Sequence, residues 1–183
     1  MQLYLMRVFQ RQVLLQCLFA IQAEQQIEDG FRKRDNTILF CGVQNLLTAA
    51  ANISKALWGI RGKHTQARKP LRDSLSVTEE SPLKDVTMRN HYEHFDERLD
   101  RWWNKSLGHN FADMCYGKPG PKGYLGLFRQ YDHESRTLGF WGDVFDVGAL
   151  IAEINRILPT VRKQAKMPHW EVPDDAKWMY EDD

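Results

Sequence analysis

The run Arg89-Asn90-His91-Tyr92-Glu93-His94 sets a permanent cation, a polar amide and two imidazoles within six residues. A guanidinium presents a fork of donors that matches phosphate oxygens, and an imidazole gains or loses a proton near neutral pH. With an amide beside them, these are the groups needed to cleave a phosphodiester without a metal. On a helix, Asn90 and His94 are one turn apart and share a face. Arg89 and His94 diverge by roughly 140° around a straight helix, so a site that uses both is expected at a twofold interface, where a second copy supplies the missing direction. The same residues also read as a solvated helix face, with Glu93, Asp96, Glu97, Arg98 and Arg101 paired at i, i+3 and i+4.

Three long helical patterns position that run. From Leu3 to about Glu28 there is no Gly or Pro, and Leu14, Leu18 and Ile21 recur at helical spacing opposite Arg11, Gln12, Gln16 and Gln22. The stretch "EDGFRKRDN" ends this first helix, with Gly30 suited to its C-cap and Asp35 or Asn36 to the next start. A second helix is predicted from about Thr37 to Trp58, antiparallel to the first, with Leu39, Val43, Leu46, Leu47, Ala50, Ile53 and Leu57 on one face. "GIRGKHTQARKP" is basic and loop-like, "ARKPLRDSL" allows a short helical turn, and "SVTEESP" is a polar connector. The motif helix then begins near Pro82 or Asp85, and its stripe of Met88, Tyr92, Phe95, Leu99 and Trp102 is the most regular amphipathic signal in the chain.

After Ser106, "GHNFADMCYGKPGPKGY" reads as an irregular loop, and "LGLFRQYD" and "TLGFWGDVF" as two strands of a hairpin across "HESR". Asp146 suits the N-cap of a final helix from Val147 to about Ala165, faced by Leu150, Ile151, Ile154, Leu158 and Val161, with Pro159 placed to kink or end it. The expectation is one mainly α domain over residues 1–183, with residues 107–145 a loop and hairpin insertion and residues 167–183 a C-terminal arm that packs on itself or on a neighbour.

At "RNHYEH" the chain resembles the HEPN superfamily (higher eukaryotes and prokaryotes nucleotide-binding domain). Its signature is Arg, four to six residues, then His, often with a polar residue after the Arg; Arg89, Asn90 and His94 stand in those places. The resemblance extends in architecture over about Leu3 to Ser106. It implies an antiparallel helical bundle, here with a small β-hairpin and a C-terminal helix appended, that dimerises along the motif helices. In active members it implies a metal-independent endoribonuclease of toxin or defence type, restrained in some cases by an antitoxin or other regulatory protein. Carried over, His94 is general base or acid on the ribose 2'-hydroxyl and leaving oxygen, Arg89 holds the scissile phosphate, and Asn90 orients Arg89 or the phosphate. Other members bind a nucleotide or act as scaffolds and sensors, and a helical interaction domain with no site is the plainest alternative.

Composition narrows the partners. A formal charge of +1 gives no global field for sequence-blind nucleic-acid binding, so an anionic ligand needs a local cluster. Cys17, Cys41 and Cys115 show no CxxC spacing and cannot all pair within one chain, which fits a reducing, cytoplasmic setting. "VLLQCLFAI" is read as core helix rather than signal peptide, because Gln16 interrupts it and no A-x-A site follows; no segment is expected to span a membrane. His91 with His94 finds no partner motif that completes a zinc pattern, and neither metal nor cofactor is expected. His64, His109, His133 and His169 fall in predicted loops. "GKPGPKG" lacks the ending of a phosphate-binding P-loop and reads as a surface loop where Lys118 and Lys122 could brush RNA. Arg61 to Lys69 is either a solvated loop or an electrostatic lip, and Trp103 and Tyr124 are either packing residues or stacking platforms.

Overall fold

The computed structural model describes residues 1–106, 108–120 and 126–180, without the side chains of 61, 177, 178 and 180. Lys122 and Tyr124, and the side chain of Arg61, therefore lie outside the described residues. Helix accounts for 63% of the molecule, which is mainly helical with a small four-stranded sheet. Helices α1 (Leu3–Lys33) and α2 (Asn36–Trp58) form an antiparallel pair. After a short α3 (Lys69–Ser74), the motif region is two helices, α4 (Thr87–Glu93) and α5 (Phe95–Lys105). The strands β1 (Cys115–Tyr116), β2 (Arg129–Asp132), β3 (Thr137–Phe140) and β4 (Asp143–Asp146) precede α6 (Val147–Lys166).

The first turn is tighter than "EDGFRKRDN" suggested. Arg34, at φ 55°, adopts the left-handed conformation that ends α1, and the Asp35 carboxylate accepts from the Ile38 N–H to start α2. Gly30 is not the cap. It lies buried inside α1, where a Cβ would come within 2.3 Å of the Leu39 nitrogen, so its bare Cα lets the two helices touch. The buried face of α1 is correspondingly rotated from the expected one: Val13, Cys17, Ala20, Ala23 and Ile27 go inward, while Leu18 and Phe19 are exposed and Leu14 and Ile21 only partly covered. Small residues win the interior because close helix approach needs them. The α2 face is buried as the sequence predicts, and α6 packs on α1 through Leu150, Ile154, Ile157 and Val161, running past Pro159 to Lys166.

Helix α2 is, at 23 residues and a mean hydropathy of 1.2, long and apolar enough to cross a membrane, against the expectation that no segment would be. Its most apolar window is 61% buried against the rest of the molecule, as in a core helix. Arg68 and Arg72 turn inward to its C-terminal end, donating to the carbonyls of Lys55, Ala56 and Leu57, where a helix exposes unpaired acceptors and partial negative charge. One cation of the expected basic lip, Arg68, is thus spent on helix capping.

The expected hairpin is a four-stranded sheet of order β1-β2-β3-β4. Cys115 and Tyr116 add parallel to β2 from within the predicted loop, and "TLGFWGDVF" folds back on itself at Trp141-Gly142 to make β3 and β4. The sheet is a floor for the motif helices. Phe140 receives the rings of His91, Tyr92 and Phe95 at 5.0, 5.8 and 5.9 Å, and Phe128 receives Phe95 and Trp102 at 5.5 and 5.9 Å. The start of the C-terminal arm lies on α1, where Arg7 Nε donates to the Pro168 carbonyl at 3.1 Å and His169 meets Tyr4 edge to face.

Candidate functional site

The motif helix does not run straight. His94, at φ −104° and ψ 40°, leaves helical geometry and separates α4 from α5. No Pro or Gly lies at the break, and Tyr92 and Phe95 on either side of it both pack on Phe140. Arg89, Asn90 and His94 all border one groove of about 760 Å³.

The groove is walled by the end of α2, by the turn from Gly59 to Thr65, and by α4 and α5. Among the described residues its charged lining is Lys55, Lys84, Arg89 and Arg98 with one carboxylate, Glu97. Three of these cations also meet carboxylates, Lys84 with Glu79, Arg89 with Glu93 and Arg98 with Glu97, so an anionic ligand would compete with those pairs.

Arg89 is one-fifth exposed and forms an ion pair with Glu93 one turn on; its Nη1 donates to the Asn90 side-chain carbonyl at 3.3 Å. Its Nε is buried and has no hydrogen-bond partner among the described residues. A phosphate entering the groove would compete with Glu93 for the guanidinium. His94 is half exposed, with Nδ1 3.2 Å from the Glu97 carboxylate. If Nδ1–H donates there, the neutral ring keeps an open lone pair on Nε2, the form a general base requires.

His91 is set apart from His94 and faces a different cavity. Its ring lies parallel to Phe140, its Nδ1 accepts from Arg98 Nε at 3.1 Å, and its Nε2 is 3.1 Å from an Asp143 oxygen. This chain of contacts fixes Arg98 where it borders both cavities. Sequence reasoning missed it, since Asp143 is 52 positions from His91 and nothing local marks the pairing. Tyr92, at the centre of the motif, is turned into the core: burial pushes its phenol far above the ordinary value, with Arg129 only partly opposing, and its hydroxyl has no hydrogen-bond partner among the described residues. Lys55 and Lys84 were also missed, because α2 and the turn before α4 reach the groove only through the tertiary fold.

The other candidates sort simply. His133 stacks on Phe31 at 3.8 Å and meets Glu28, and Trp103 stacks on His109 at 3.9 Å while remaining exposed. Lys118 is exposed on its loop. Comparison of the chain with protein-family models, curated proteins and solved structures returns no match.

Proposed function

We propose that the protein is a HEPN-like, metal-independent endoribonuclease whose site is Arg89, Asn90 and His94. The observation that supports this reading most is their convergence on one cation-rich groove, with the His94 imidazole held by Glu97. His94 Nε2 takes the proton of a ribose 2'-hydroxyl, the 2'-oxygen bonds to phosphorus, and the bond from phosphorus to the 5'-oxygen breaks. The proton then passes from the imidazolium to the leaving 5'-oxygen, directly or through water, which leaves a 2',3'-cyclic phosphate and a 5'-hydroxyl. Arg89 stabilises the charge that gathers on the phosphoryl oxygens.

The test is cutting of single-stranded RNA in EDTA by the purified protein. His94→Ala and Arg89→Ala each abolish cutting while the circular dichroism spectrum is retained. Cutting that persists in both variants defeats the assignment.

A second reading has its own support. The ion pair between Arg89 and Glu93 occupies the guanidinium, which favours a HEPN-like protein that binds a nucleotide and works as sensor or scaffold without turnover. Binding of a nucleotide with no cutting at any RNA tested selects it. We carry the homodimer as part of both readings, and light scattering that gives a monomer removes it.

A further inference from the structure

We propose that a second cavity, beside the Arg89 and His94 groove, is a nucleotide-binding subsite with Trp141 as its stacking surface. The inference rests on the reading of the chain as one that handles RNA, and it adds a site that reading does not contain. The cavity holds about 280 Å³, near the lower end of small-molecule sites and suited to one nucleotide unit rather than two. Arg98, Arg101, Lys105, Phe140, Trp141 and Asp143 line it. Arg98 also borders the first groove, and Lys105 and Trp141 also border a third hollow of about 360 Å³, so one track runs along α5 through all three.

Charge is sorted along that helix. Arg98, Arg101 and Lys105 stand at i, i+3 and i+7 and fall within about 60° of one another, while Asp96, Glu97 and Asp100 occupy a separate arc. Arg101 and Lys105 are exposed and have no ion pair or side-chain hydrogen bond among the described residues. A stripe of cations, two of them uncommitted, beside an aromatic ring is what single-stranded nucleic acid requires, since cations follow phosphates and any base has a face to stack.

The backbone at Trp141 is the independent observation. Trp141 and Gly142 form the two-residue connection between β3 and β4, with φ of 46° and 88°. Such a turn wants positive φ at both positions and therefore favours Asn or Asp followed by Gly. Trp141 stands where a bulky residue is disfavoured, and the turn turns its half-buried indole, parallel to Phe128 at 5.8 Å, into the cavity wall. Asp143, with an oxygen 3.1 Å from His91 Nε2, lines the same cavity.

The experiment uses a 2'-O-methyl RNA hexamer, which lacks the attacking hydroxyl and reports binding without turnover, followed by fluorescence anisotropy. Trp141→Asn installs the favoured Asn-Gly turn, so the fold is retained, yet hexamer affinity falls about tenfold. Arg101→Ala with Lys105→Ala weakens binding similarly and lowers the salt slope by roughly one to two. Adenosine monophosphate competes and inorganic phosphate does not. A mononucleotide that binds more tightly than the hexamer identifies a free nucleotide as the source, and the reverse order identifies a unit of the RNA chain. Hexamer binding unchanged in both variants, or phosphate competing as well as the mononucleotide, overturns the subsite and leaves the cutting assay untouched. Conversely, failure of the cutting assay with hexamer binding still dependent on Trp141 removes the nuclease reading alone.

Discussion

Two histidines three residues apart are given opposite circumstances by what packs around them. His91 is pinned between Arg98, Asp143 and Phe140, whereas His94 looks into a groove with one nitrogen near a carboxylate. The sequence motif singles out His94, and the packing around each ring separates the two further. Glu97 is a positioning residue on this account, because it holds Nδ1 and leaves Nε2 to work. Glu97→Ala is expected to lower kcat for RNA cutting about ten- to a hundredfold, short of the ~10²–10⁴ that a general base supplies, with KM little changed. A rise in KM with kcat intact would make Glu97 a binding residue instead.

At the scale of elements, helices were legible wherever one face is large and apolar. The α2 stripe, the Asp35 and Asp146 caps and the Met88 to Trp102 stripe all follow from spacing alone. What failed has a physical cause in each case. Helix α1 carries apolar residues on more than one side, so periodicity chose the Leu14 and Leu18 side, while close packing on α2 selected the side with Cys17, Ala20 and Ala23. The turn at Trp141-Gly142 escaped notice because its first residue is the wrong type for it. Gly30 also looked like a stop signal and is instead a contact point. Gly30→Ala is expected to destabilise the protein by about 1–3 kcal/mol, since the colliding atoms belong to the α2 backbone and cannot rotate away. Thermal unfolding should then fall by several degrees, and an unchanged midpoint would show that α1 and α2 can separate at no cost.

Across the whole molecule, one clip ties the sheet to the segment before it. Asp113 accepts from the Arg129 backbone N–H at 3.1 Å and from its Nε at 2.9 Å, and the Arg129 guanidinium lies over Phe95 at 4.8 Å. Burial works against the Asp113 charge, but the side-chain and backbone donors of Arg129 outweigh it and hold the carboxyl below its ordinary value. A carboxyl lowered on folding contributes stability that is complete above its unfolded value near 4 and is lost as pH falls through the folded value. Unfolding temperature should therefore hold steady through mild acid and drop below about pH 4. In Asp113→Asn that acid limb should be shallower, from a lower plateau. Identical limbs in the two proteins would place the acid sensitivity elsewhere.

The bend at position 94 has a bearing on how any loss of activity there is interpreted. Alanine would subtract the ring and also supply the residue most content in an uninterrupted helix, so α4 and α5 could fuse and carry Arg89 out of alignment. Asparagine removes the imidazole yet tolerates irregular backbone. Equal inactivity from the two exchanges would trace the defect to missing acid–base chemistry, and a residue of activity in the asparagine protein alone would trace it to shape.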